Sequence, residues 1–120
     1  MPKIIKEPSI IKAAGNKEKI IQEFFGAVNS GNKELSIAIM NSPGGWKEPG
    51  QKPEFDEYTV VIEGILNIKT SKDKYEIHSG QAVLVKKNEW VQYSSPDANG
   101  AKYISVCIPA FTPGTVHRDE

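Results

Sequence analysis

From Leu35 onward, apolar and polar positions alternate in short runs with a period near two, and each run is closed by a turn signal. Leu35 to Met40, Glu57 to Ile62, the Leu66/Ile68/Thr70 series, Tyr75 to Ile77, Ala82 to Val85, Trp90 to Ser94 and Lys102 to Ile108 read as strands. Ser42-Pro43-Gly44-Gly45, Glu63-Gly64, Ser71 to Lys74, Lys86 to Glu89 and Pro96 to Gly100 read as turns between them. No helical period falls between these runs, which excludes parallel β-α-β crossovers and points to a sandwich or barrel.

The first third of the chain patterns differently. Ile4-Ile5 and Ile10-Ile11 are split by Pro8, which predicts an extended arm or edge strand. Ile20, Ile21, Phe24, Phe25 and Val28 follow helical spacing, Asn16 stands where an N-cap would, and Ser30-Gly31 offers a stop. That spacing predicts one α-helix over residues 17–29, packed on the outside of the sheet. The expected organisation is a mainly β domain over residues 1–120: arm and helix (1–33), barrel (34–110) and a coiled tail (111–120) interrupted by proline.

Composition adds limits more than identity. The 120 residues hold fifteen basic and fifteen acidic side chains, so no charge imbalance favours nucleic acid or a membrane surface. No apolar run approaches a membrane span, and Met1-Pro2-Lys3 does not open like a signal peptide. Cys107 is the single cysteine, so an intrachain disulfide is impossible and a reducing, cytoplasmic setting is expected. In its hydrophobic strand, with no base in view, Cys107 reads as a buried, inert thiol. A net charge of zero leaves self-association unopposed.

Two glycine-led segments, Gly45 to Gly64 and Gly80 to Ser95, share a layout that resembles the two motifs of the cupin family, small jelly-roll β-barrels. In the first, Gly45, Glu57 and Gly64 match, while the two histidine positions hold Gln51 and Pro53. In the second, Gly80 matches, and Val91 and Ser95 stand at the histidine and asparagine positions. The stretches Asp56-Glu57, Val61 to Gly64 and Tyr103 to Phe111 are similar locally to the ethanolamine-utilisation cupins. The resemblance implies a cupin-type jelly-roll barrel. It also implies a lost metal site: of the family's three histidines and one glutamate, only Glu57 remains. A carboxylate with one glutamine amide is a poor ligand set for borderline metals, so no metal or other cofactor is expected. His78, before the Gly80 turn, and His117, in the tail, read as exposed.

If Glu57 faces the interior as the family's glutamate does, strand alternation turns Thr59 and Val61 inward with it, and Phe55 and Gln51 if the strand reaches back that far. The second motif likewise turns Val91, Tyr93 and Ser95 inward. The last strand offers a polar face (Tyr103, Ser105, Cys107) and an apolar one (Ile104, Val106, Ile108), and the sequence leaves open which looks in. Trp46 and Trp90 stand near the expected mouth, where an indole caps a core or stacks on a ligand ring; core is the reading for each. An interior Glu57 needs partners such as Tyr93 or Gln51, or else holds a proton. The Glu54/Asp56/Glu57 cluster suggests a cationic or amine ligand; strand-edge solubility explains Glu54 and Asp56 equally well.

Three functions follow as expectations. The first is a metal-independent binding domain for a small polar metabolite, anchored by Glu57. The second is an isomerase- or lyase-type enzyme, with an atypical metal at Glu57 or none, in which Glu57 is the acid/base and Tyr93 its helper. The third is a component of a metabolic assembly. A homodimer, paired through strands, is expected in each.

Overall fold

The computed structural model describes all 120 residues and contains nine β-strands and no helix. The strands are β1 (Ser9–Ile11), β2 (Ile20–Phe25), β3 (Ser36–Ser42), β4 (Trp46–Lys47), β5 (Asp56–Thr70), β6 (Lys74–His78), β7 (Ala82–Val85), β8 (Val91–Ser95) and β9 (Ala101–Ile108). All pairings between them are antiparallel. They join in the order β1-β2-β3-β9-β5-β8-β4, with β6 and β7 also paired to β5, as one barrel-like sheet. No helix is long and apolar enough to cross a membrane.

The helix expected over 17–29 is therefore a correction. Residues 20–25 form β2, bonded to β1 on one side and β3 on the other. Ile-Ile-Gln-Glu-Phe-Phe is rich in β-branched and aromatic residues, and apolar pairs at i, i+1, i+4 and i+5 fit either period in so short a run. Ladder partners on both edges decide for the strand. Alternation then buries Lys19 and Glu23, while Ile20 stays 47% exposed and Val28 63% exposed. Asn16 caps no helix. Its side chain fastens the segment before β2 to β4, donating to the Gly45 carbonyl at 3.1 Å and accepting from Lys47 N–H at 2.8 Å.

Strand β5 organises the molecule. Its first half pairs with β9 and β7, and its second half with β6 and β8, so one strand serves both walls. The expected break at Glu63-Gly64 is instead a bulge inside a continuous strand. An extra residue in one strand of a pair shifts the alternation. Glu57, Thr59 and Val61 point inward before the bulge; Leu66 and Ile68 do so after it. Gly64 has φ of +77° and lies tight against the Gly100 carbonyl, so a side chain there would be both strained and blocked.

One end of the interior is filled by a cluster that includes Trp46, Val61, Leu66, Ile68, Val85, Val91, Tyr93 and Tyr103. A second, smaller cluster joins Phe55, Cys107 and Val116, with Phe111 packed against it. The tail reaches that cluster because residues 115–119 run back antiparallel beside residues 50–54. Three backbone bonds hold it: Glu54 N–H to the Thr115 carbonyl (2.9 Å), Lys52 N–H to the His117 carbonyl (3.1 Å) and Asp119 N–H to the Gly50 carbonyl (2.7 Å). The tail is thus a strap across the barrel, with Arg118 bridged to Gln51.

Candidate functional site

Between the two clusters lies an interior cavity of about 60 Å³. A water needs at least ~10–15 Å³, so the space suits a few waters or a compact organic group. Its polar lining comes from separate parts of the chain: Lys19 from just before β2, Glu48 from just after β4, Glu57 from β5, Tyr93 from β8, Tyr103 and Ser105 from β9, and Arg118 from the strap. Gln51, Phe55 and Cys107 line it too.

Glu57 is buried at the floor. Tyr93 donates its hydroxyl to Glu57 Oε1 at 3.3 Å, and Ser105 donates to Glu57 Oε2. Burial raises the Glu57 carboxyl above its ordinary range; the Ser105 bond, Lys19 and the Tyr93 bond oppose that without cancelling it. The same burial, reinforced by Glu57, pushes the Tyr93 phenol well up. Cys107 is likewise pushed up, by burial first and Glu57 second, which leaves it a thiol.

Glu48 and Lys19 form the other half of the site. Burial raises Glu48 to about 7, against the pull of Lys19 and with a further push from Glu57. Burial alone would lower the Lys19 ammonium; Tyr103, Glu48 and Glu57 outweigh it and hold the ammonium above its ordinary value. Lys19 Nζ lies 4.2 Å from the centroid of the Trp46 ring and 5.1 Å from that of Tyr103, with no carboxylate oxygen within 4.0 Å. Tyr103 is anchored by a 2.9 Å bond between its hydroxyl and Ser42 Oγ. Glu48 Oε2 and Arg118 Nε are buried with no hydrogen-bond partner.

The predicted residues divide three ways. Glu57, Tyr93, Gln51, Phe55, Tyr103 and Cys107 meet at the cavity. Thr59, Val61, Val91 and Ser95 do face inward, but they are buried without lining it. The reason is that the core cluster fills their end of the barrel, and Ser95 spends its hydroxyl on the Pro43 carbonyl at 2.8 Å. Trp90 is half-buried outside the cavity, and its indole N–H bonds Asp119 Oδ2 at 2.9 Å. The polar face of the last strand is the inward one: Tyr103, Ser105 and Cys107 are buried. Glu54 pairs with His117, and Asp56 accepts from Lys87 N–H at 2.8 Å, so neither joins Glu57 in the cavity.

Lys19, Glu48 and Arg118 escaped the sequence reading because charged residues are ordinarily exposed. A weak signal exists in parity. Lys19 is two residues from Ile21, Glu48 two from Trp46, and Arg118 two from Val116, each on the side its apolar neighbour shares.

The family's metal does not fit these residues. Gln51 and Pro53 supply no imidazole, Val91 is part of the apolar core, and both Glu57 oxygens accept protein hydrogen bonds. No group of three or more His, Cys, Asp or Glu side chains is placed so that it could hold a metal ion. His78 and His117 stand outside, each with its side chain about half exposed.

Comparison with known proteins agrees with this geometry. The EutQ protein of Clostridium difficile superposes with a TM-score of 0.65 at 26% identity, over 78% of this chain and 64% of its own. The polyketide cyclase RemF of Streptomyces resistomycificus superposes with a TM-score of 0.77 at 13% identity, over 100% of this chain and 86% of its own. A predicted oxalate decarboxylase of Thermotoga maritima gives a TM-score of 0.72 at 17% identity, over 86% and 92%. These last two likenesses show the fold alone. Among curated proteins, the endoribonuclease YbeY of Myxococcus xanthus is 39% identical over 101 residues, which are 84% of this chain. The match spans only about a third of that protein, 34% of its length. No protein-family model matches the chain.

Proposed function

We propose that this chain, which belongs to the cupin superfamily, is a metal-independent domain that binds a small polar metabolite inside its barrel, with Glu57 as the main polar group of the pocket floor. One observation carries the reading. Five charged side chains, Lys19, Glu23, Glu48, Glu57 and Arg118, line a single cavity, and two of their polar atoms have no protein partner. Burying charge is unfavourable unless it is paired or hydrogen-bonded. A bound molecule supplies the missing partners. The free Cys107 fits a reducing, cytoplasmic setting for such a domain.

The test is a thermal-shift screen of the purified protein against a library of small polar metabolites. At least one compound is expected to raise the unfolding midpoint, and Glu57→Gln is expected to remove that shift while keeping a cooperative transition. A library that leaves the wild-type midpoint unmoved overturns the reading.

An enzyme of the isomerase or lyase type is favoured by one feature, the contact between Tyr93 and a Glu57 raised toward its protonated form. The same variant separates the two readings. In the enzyme, Glu57→Gln retains the ligand-induced shift and loses turnover.

The outer face of the sheet supports self-association. Ile37, Val106, Tyr58 and Leu84 lie side by side across β3, β9, β5 and β7, and Ile39, Ile104, Val60 and Ala82 form the next row. Tyr58, Val60 and Leu84 are each more than 40% exposed. A second copy covering this face gives a homodimer. Light scattering is expected to return twice the chain mass, falling to one chain mass for Val60→Lys. A monomeric wild type at high concentration excludes it.

A further inference from the structure

The cavity's hydrogen-bonding account does not close within the protein. Glu57 has both oxygens occupied, by Tyr93 and Ser105. Glu23, which also borders the cavity, spends Oε2 on the backbone N–H groups of Val28 (3.0 Å) and Asn29 (2.9 Å), fixing the turn after β2. The Tyr103 hydroxyl is shared with Ser42. Two cavity atoms are left without a protein partner, Arg118 Nε–H and Glu48 Oε2, and the Lys19 ammonium lies beside them over the Trp46 and Tyr103 rings. Lys19 and Glu48 are 8% and 7% exposed, so bulk water does not satisfy them. A buried donor or acceptor without a partner costs the full desolvation of that group.

Arg118 and Lys19 are cationic donors lining the cavity. Arg118 keeps its charge under all ordinary conditions, and Lys19 is held in its charged form by its surroundings. The carboxyls that face them, Glu48 and Glu57, are both pushed by burial toward the neutral form. The cavity therefore offers an unpartnered guanidinium N–H and an ammonium group beside a single unpartnered carboxyl oxygen. A ligand anion meets both cations, and a neighbouring hydroxyl meets the one free carboxyl oxygen. The small volume restricts the ligand to a few non-hydrogen atoms.

We propose that the cavity takes a small hydroxycarboxylate, its carboxylate held between Lys19 and Arg118 and its hydroxyl at Glu48. This rests on the binding-domain reading above and names the class of ligand for it.

Titration calorimetry with a matched set of probes tests the proposal on the full chain. Lactate carries both groups, propionate lacks the hydroxyl, propane-1,2-diol lacks the carboxylate, and inorganic phosphate supplies negative charge without the carbon frame. Lactate is expected to bind, propionate about tenfold more weakly, and the diol not measurably. Arg118→Gln, on the strap, is expected to weaken lactate by at least about tenfold. Glu48→Gln is expected to shrink the gap between lactate and propionate while leaving carboxylate binding in place. Lys19→Gln is expected to behave as Arg118→Gln if it folds, and the two other variants decide the matter if it does not. Equal binding of the diol, equal binding of propionate, phosphate binding in place of lactate, or no lactate binding at all each overturns the proposal. If the metabolite screen finds another ligand while lactate fails, only the ligand class is lost. If the screen is silent as well, the binding reading fails with it.

Discussion

Trp46→Ala is expected to lower the unfolding midpoint by roughly 10–25 °C, the equivalent of a loss of about 3–5 kcal/mol. The indole is 1% exposed and anchors the larger core cluster. It belongs to β4, which is only two residues long and has little ladder to hold it if the packing goes. Its N–H donates to the Ala14 carbonyl at 3.0 Å, tying the segment before β2 to the barrel. Its face also carries the buried Lys19 ammonium. The substitution thus opens a cavity, leaves a carbonyl unpaired and strips a buried cation of its nearest partner, and these losses add in one direction. Trp90→Ala is the control, since Trp90 is half-buried and packs outside the cavity. Thermal unfolding of the two variants is expected to separate them widely. Equal losses would contradict the placement of Trp46 at the centre of the core.

The second large effect concerns pH. Glu48 has its carboxyl raised from 4.5 to about 7 in the folded chain, chiefly by burial. Between those values the folded protein holds a proton that the unfolded chain releases. The slope of stability against pH follows the protons bound in the unfolded state minus those bound in the folded state, and here that difference is negative. The contribution of Glu48 is therefore fully present below about pH 4.5 and is lost as pH rises toward about 7. Two and a half units correspond to a change on the order of 3 kcal/mol. Glu57 is raised as well and acts with the same sign. Denaturant unfolding at pH 5 and pH 8 is expected to show wild type losing stability relative to Glu48→Gln, whose amide does not titrate. Parallel curves for the two proteins would show that Glu48 does not carry a raised pKa in the folded state.

Both effects arise from residues that the sequence treats unequally. Trp46 stood out because a large aromatic beside a glycine turn is an evident core candidate, though Trp90 had the same claim. Glu48 did not stand out at all. In the run Trp46-Lys47-Glu48-Pro49-Gly50 it reads as one more polar loop residue. It is buried in a cavity that Lys19 and Arg118, from opposite ends of the chain, also line.

The strands after Leu35 were legible because a β-strand announces itself locally. Side chains alternate along the backbone itself, so Tyr103/Ser105/Cys107 and Val91/Tyr93/Ser95 could be grouped correctly before any partner was known. Residues 17–29 were not legible in the same way. A short apolar cluster satisfies helical and extended periods alike, and only the ladder partners β1 and β3 resolve it. The bulge in β5 was half legible: Gly64 marked a special position, but a glycine signals a turn and a bulge with the same residue.

By itself, then, the sequence determined the alternation of the later strands and the positions of their turns apart from Glu63-Gly64, while an inward Glu57 was an expectation drawn from the family resemblance. The tertiary structure alone decided that the N-terminal segment is a strand, that the tail straps the barrel, and that Lys19, Glu48 and Arg118 meet Glu57 inside it. The physical reason is range. Strand period is a property of neighbouring residues, whereas the burial of a charge depends on what distant segments bring to cover it.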